Sequence, residues 1–230
     1  METAKAYLEW LEPQTRDIKY FYMSWFGGEP LLSKKIIEFI TDGILKLADK
    51  YHFEYSACVV TNGVLADDAF VSSCERLHIM NLQVTIDGER NIHNRYRFLK
   101  IDHGETFDTI LANLNDFCSR VHSDTATILR INLTDENYQT IPQLFDEIPK
   151  DVRDNSVLLF RWVYSHVEGR SPGIEFSAKK KGSRPYENLA PLYELAQSKG
   201  FTTNSFDEGF CCNFCECDFD HAFQINYNGD

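Results

Sequence analysis

The sequence predicts an α/β fold built on a parallel sheet, and three observations carry that expectation. Segments rich in β-branched and aromatic residues alternate with segments whose apolar residues recur at helical spacing, strand then helix along most of the chain. That order, joined by right-handed crossovers, gives parallel strands. The first strong strand, Tyr20 to Phe26, is apolar at almost every position, as expected of a strand buried on both faces. The strands end in short polar or glycine-containing turns, Gly27-Gly28-Glu29-Pro30, Thr61-Asn62-Gly63 and Asp87-Gly88. The carboxyl ends of parallel strands are where such folds hold small molecules.

Each element has its own signal. Ala4, Tyr7, Leu8 and Leu11 give a weak helical face that ends near Pro13. After the Tyr20–Phe26 strand, two glycines leave the backbone bare for a ligand to approach, Glu29 adds a carboxylate, and Pro30 turns the chain away. Ile36, Ile37, Ile40, Ile44, Leu47, Ala48 and Tyr51 then recur at helical spacing, with Ser33 placed as N-cap. Phe53–Val60 reads as the second strand, Asp67–Cys74 as a short helix and Ile79–Ile86 as the third strand. A polar, basic segment, residues 89–97, precedes a helix that begins near Thr106 and runs through Phe107, Ile110, Leu111, Leu114 and Phe117. Thr125–Leu133 and Val157–Tyr164 are the fourth and fifth strands, separated by a helix over Gln139–Ile148. A long loop with the basic triplet Lys179-Lys180-Lys181 leads to a last helix, Pro185–Lys199, stopped by Gly200.

Composition narrows the class of function. The 230 residues allow about one to two domains, and 43% hydrophobic with 25% charged residues is an ordinary globular balance. A formal charge of −12 argues against a nucleic-acid partner, whose phosphates need a basic stripe. No apolar run approaches the length of a membrane span, and the N-terminus lacks the order of a signal peptide, so a cytoplasmic location is expected. In a reducing compartment the scattered Cys58, Cys74 and Cys118 read as inert core thiols. Cys211, Cys212, Cys215 and Cys217 form a cluster that is a metal or redox candidate.

Five strand-end pieces, taken together, resemble a known family. They are Gly27-Gly28-Glu29-Pro30, Thr61-Asn62-Gly63, Val84-Thr85-Ile86-Asp87-Gly88, Ile92-His93-Asn94-Arg95-Tyr96-Arg97 and Arg130-Ile131-Asn132-Leu133. In this order they are similar to the core of radical SAM enzymes, in the branch with a cysteine-rich SPASM extension that includes anaerobic sulfatase-maturing enzymes and peptide maturases. The resemblance implies a partial (β/α)6, TIM-like barrel over residues 1–200 with its first strand missing. Residues 201–230 would be the truncated start of the extension. It also implies S-adenosylmethionine across the open end of the barrel. Gly27, Gly28 and Glu29 would receive the methionine ammonium, a group with three donors and no acceptor. Pro30, Thr61, Asn62 and Asp87 would complete the same site. Thr85 stands where this branch commonly has a ligand-facing serine, unless it is only a strand residue. Arg97 would be a fork for the methionine carboxylate, unless it is a surface ion-pair partner. Asn132 would touch the ribose, and Asn94 stands where the family often has Asp.

One departure matters. The family's [4Fe–4S] cluster sits on C-x3-C-x2-C thiolates in a loop before the Gly-Gly-Glu strand, and no cysteine precedes Tyr20. Cys211 and Cys217, followed by His221-Ala222-Phe223-Gln224-Ile225, resemble the opening of a SPASM domain and are candidate ligands of an auxiliary cluster. Cys212 and Cys215 with Cys217 and His221 could instead make a zinc knuckle, and metal-free thiols are the reading expected for the chain as it stands. The chain halts on Asn228-Gly229-Asp230, a turn signal with no second strand after it.

The expectation is therefore a truncated radical SAM/SPASM protein. In the parent reaction an external reductant drives cleavage of S-adenosylmethionine to a 5′-deoxyadenosyl radical, which removes a hydrogen atom from a peptide or protein side chain. This chain alone is expected not to do so. The alternative is a cluster-free barrel that binds a peptide or nucleotide. A third reading makes Glu29, Asp87 and His93 an acid–base set. A missing first strand would leave the Tyr20–Phe26 edge open to homodimerisation.

Overall fold

The computed structural model describes residues 1–121, 127–163 and 189–203. Six strands, β1 (Tyr20–Trp25), β2 (Glu54–Thr61), β3 (Ile79–Thr85), β4 (Thr127–Leu133), β5 (Ser156–Trp162) and β6 (Thr202–Thr203), form one sheet. They lie in sequence order and every pair is parallel. The helices are α1 (Glu2–Gln14), α2 (Lys34–Tyr51), α3 (Asp68–Cys74), α4 (Arg90–Tyr96), α5 (Phe107–Arg120), α6 (Ile141–Glu147), α7 (Lys150–Asp154) and α8 (Ala190–Ser198). When each strand lies beside its predecessor, right-handed crossovers bring every intervening helix to one side. The arrangement is a partial TIM-like barrel. No described helix is long and apolar enough to cross a membrane.

Burial along the strands shows which side that is. Leu82, Val84 and Ile86, then Leu129, Ile131 and Leu133, are fully excluded from solvent. They meet Ile37, Ile40 and Ile44 of α2, Phe70 and Val71 of α3, Phe107, Ile110, Leu114 and Phe117 of α5, and Leu144 and Phe145 of α6 in one core. Burying each such side chain contributes about 1.5–3 kcal/mol. The alternate residues, Gln83, Thr85, Arg130, Asn132 and Arg161, are only half-buried on the opposite, open face. A side-chain period of two thus makes each strand apolar toward the helices and polar toward the opening.

Several local expectations need correction. β1 is not buried on both faces. It is an edge, paired with β2 alone among the described residues, and Tyr20 and Tyr22 are 54% and 49% exposed. Its aromatic content reflects the width of Tyr on a half-open surface rather than two covering layers. Ser33 makes no side-chain cap. The chain takes a 3-10 turn over Pro30–Ser33, capped by the Glu29 carboxylate, before α2 starts. The basic segment at 89–97 contains α4, whose first turn is capped by Glu89 accepting from Asn91 N (2.8 Å) and Ile92 N (3.2 Å). Seven residues are too few for an apolar period to reveal it. The expected helix over 139–148 is a 3-10 turn at Tyr138–Thr140 followed by α6, and α7 comes after Pro149.

Candidate functional site

At the end of β1 the backbone turns through Gly27 at φ 143°, a region that favours glycine. A Cβ built on Gly27 or Gly28 would meet no atom within 4 Å, so the two residues border open space. Glu29 follows, and its carboxylate joins this turn to the end of β2. One oxygen accepts from Leu31 N (3.0 Å) and Thr61 Oγ1 (2.7 Å), the other from Asn62 N (2.8 Å). Thr61 is buried and also receives Gly63 N at 3.1 Å, while Asn62 Oδ1 accepts from Val64 N at 2.9 Å. Thr61 and Asn62 thus hold Glu29 and shape their own turn. Pro30 sets the first position of the 3-10 turn.

The end of β3 carries Asp87, two residues past Thr85 on the same face. One carboxylate oxygen, Oδ2, accepts from Arg97 Nε at 2.5 Å, so Arg97 is an ion-pair partner here. The other, Oδ1, is buried without a hydrogen-bond partner among the described residues. His93 fixes this pair from behind. Its Nδ1 accepts from Asp87 N (3.3 Å), and its Nε2 meets Thr106 Oγ1 (3.2 Å), which donates to Arg97 O (2.5 Å). The accepting Nδ1 assigns the proton to Nε2. Complete burial pushes the imidazole down from 6.5 to about 4, outweighing the nearby Asp87 charge. A neutral, enclosed ring with both nitrogens engaged is no general acid or base, so Glu29, Asp87 and His93 do not form a catalytic set. Asn94 Oδ1 accepts from Thr106 N (3.1 Å) and Phe107 N (3.0 Å), capping α5 from a neighbouring helix.

On β4, Arg130 lies in register with Thr85, and Asn132 lies two residues further along the same face. Arg130 Nε donates to Asn132 Oδ1 at 3.0 Å. Burial lowers the proton affinity of Arg130, and the charges of Arg161 and Arg97 lower it further against the opposing pull of Asp87. Asn137, buried to 1% exposure, donates to the carbonyls of Asp87 (2.7 Å) and Asn132 (2.8 Å) and so ties the ends of β3 and β4 together.

Glu29, Thr61 and Asn62 are joined by hydrogen bonds, Asp87 and Arg97 by an ion pair, and Thr85 and Asn132 flank Arg130 at the carboxyl ends of β1–β4. The expected set therefore occupies one rim. Sequence reasoning missed the roles of Arg130, His93, Asn94 and Asn137. Arg130 had a readable signal: it is a charge two residues before Asn132 in an otherwise apolar strand. Cys211 and Cys217, and the possible zinc knuckle, lie outside the described residues.

The rim fits S-adenosylmethionine in its donor and acceptor content. It has bare backbone at Gly27 and Gly28, an orphaned carboxylate oxygen on Asp87 and a guanidinium on Arg130. A [4Fe–4S] cluster finds no such fit. Among the described residues no three metal-ligating side chains converge. Cys58, Cys74 and Cys118 are buried on β2, α3 and α5, where burial raises the thiol of Cys58, that of Cys74 to about 12 and that of Cys118 to about 11. They are core residues.

No family model and no curated protein matches the sequence. Solved structures do match. The chain is similar to anSMEcpe, anaerobic sulfatase-maturase-like, with bound AdoMet, at TM-score 0.66 and 16% identity over 90% of this chain and 55% of that one. anSMEcpe with bound AdoMet and Kp18Cys peptide gives 0.64 over the same shares. Streptococcus suis SuiB bound to precursor peptide SuiA gives 0.54 at 14% identity, over 88% of this chain and 42% of that one. The likeness is one of fold, and the chain spans about half the length of these proteins. The α/β, partial TIM-like architecture is shared with these structures.

Proposed function

We propose that residues 1–200 form the S-adenosylmethionine-binding part of a radical SAM maturase that acts on a peptide or protein side chain. The observation that carries this is the convergence of bare glycine backbone, the anchored Glu29 carboxylate, the Asp87–Arg97 pair and the Arg130–Asn132 pair on one rim of the sheet. In this reading Gly27, Gly28 and Glu29 receive the methionine ammonium through carbonyl and carboxylate oxygens. Pro30, Thr61 and Asn62 keep that loop in shape. Thr85, Asp87, Arg97 and Asn132 line the remainder. When bound and given one electron by an external reductant, S-adenosylmethionine would supply the means to remove a hydrogen atom from the substrate. The chain's own residues bind, orient and exclude water. Support also comes from neighbours of the same fold, solved with AdoMet or with peptides. The described cysteines do not fit the primary cluster. Residues 201–230 are read as the start of a SPASM-like extension, with Cys211 and Cys217 as candidate ligands of an auxiliary cluster.

Isothermal titration with S-adenosylmethionine tests the reading. Saturable one-to-one binding that falls on the order of tenfold in Gly28→Val, with melting temperature unchanged, is the expected result. An absence of binding at millimolar ligand refutes it.

A further inference from the structure

We propose that Arg130 is a carboxylate receptor at the centre of the open face. A guanidinium offers five donors in a planar fork, and among the described residues only Nε is engaged, by Asn132 Oδ1. No described carboxylate forms an ion pair with Arg130. Of the charges that act on it, Arg97 pairs with Asp87, and Arg161 adds like charge from β5. Arg130 is half-buried, with like charge from Arg161 and Arg97 opposed only by the Asp87 carboxylate, and a bound anion would offset its desolvation.

The anion's class follows from Asp87. Its carboxylate acts on Arg130, and its Oδ1 is buried without a donor. A phosphate dianion would be repelled there. A carboxylate monoanion with an N–H group beside it satisfies both Arg130 and Asp87 Oδ1. Arg97, the fork that the family resemblance implies for this task, is held through Nε by Asp87 Oδ2 at 2.5 Å. Two sources carry such a carboxylate. One is the methionine end of S-adenosylmethionine, which rests on the function proposed above. The other is an acidic group of a peptide substrate.

The test titrates wild type, Arg130→Gln and Arg130→Lys with S-adenosylmethionine and with its decarboxylated analogue. In parallel, the thermal shift produced by succinate is measured at matched ionic strength. Arg130→Lys keeps the charge and loses the fork, so it remains informative should Arg130→Gln fold poorly. If the cofactor is the source, Arg130→Gln weakens S-adenosylmethionine on the order of tenfold to a hundredfold, leaves the decarboxylated analogue unchanged, and Arg130→Lys falls between. If a peptide acid is the source, both titrations are unchanged and the succinate shift disappears in Arg130→Gln. Equal weakening of both cofactor forms, or no effect on either with the succinate shift intact, overturns the proposal. A wild type that binds no S-adenosylmethionine sinks the proposed function, and the succinate arm still decides on Arg130.

Discussion

Replacing Glu29 tests the joint between the first two strands. Its carboxylate accepts from Leu31 N at 3.0 Å, Thr61 Oγ1 at 2.7 Å and Asn62 N at 2.8 Å, and the Thr61 hydroxyl is buried. A Gln in the same place offers one carbonyl oxygen and one NH2. With its oxygen toward Leu31 and Thr61, the NH2 faces the Asn62 N–H. Turned the other way, it loses two bonds to keep one. The smaller loss is one charge-assisted bond plus two opposed donors, about 1–3 kcal/mol. Glu29→Ala removes both acceptor oxygens and all three bonds, but water can reach the two loop amides, so the cost is about 2–4 kcal/mol. Urea unfolding followed by circular dichroism reads this as a lower midpoint at unchanged slope. Thr61→Val in both backgrounds gives the coupling between the two residues. A Glu29→Gln midpoint equal to wild type, or zero coupling to Thr61, would mean that the carboxylate is not holding the β1 and β2 ends together.

Two further outcomes are expected. The folded chain keeps His93 neutral down to about pH 4 because the ring is buried, whereas the unfolded chain protonates it near 6.5. Its contribution is therefore intact above about pH 6.5 and is lost as pH falls toward 4, a difference of about 3 kcal/mol that His93→Phe should remove from the wild-type pH profile. The glycines should separate fold from binding. Gly63→Ala, at φ 82° with Ile110 and Val84 carbons 3.0 Å from the new Cβ, should cost about 1–3 kcal/mol. Gly28→Ala, which meets nothing within 4 Å, should leave the melting temperature unchanged while weakening S-adenosylmethionine. Equal melting temperatures for these two variants would contradict that division.

Much of the fold was legible along the chain. The alternation of strand and helix set the parallel sheet, and β2, β3 and α3 fall within a residue of their expected bounds. The strand-end turns were visible too, since Gly, Asn and Asp mark where extended backbone stops. What failed was short or one-sided. α4 is a single capped stretch without an apolar period, and β6 is two residues long. β1 is aromatic without being covered.

By itself the sequence determined the order of elements and which residue types gather at the strand ends, because both depend on local periodicity and turn chemistry. Only the tertiary structure decided who bonds to whom. It joined Glu29 to Thr61 across 32 positions, joined Arg97 to Asp87, turned His93 inward as a strut and set Arg130 Nε on Asn132. Those assignments depend on which neighbouring strand or helix reaches each polar group first, and that competition is settled by packing in three dimensions.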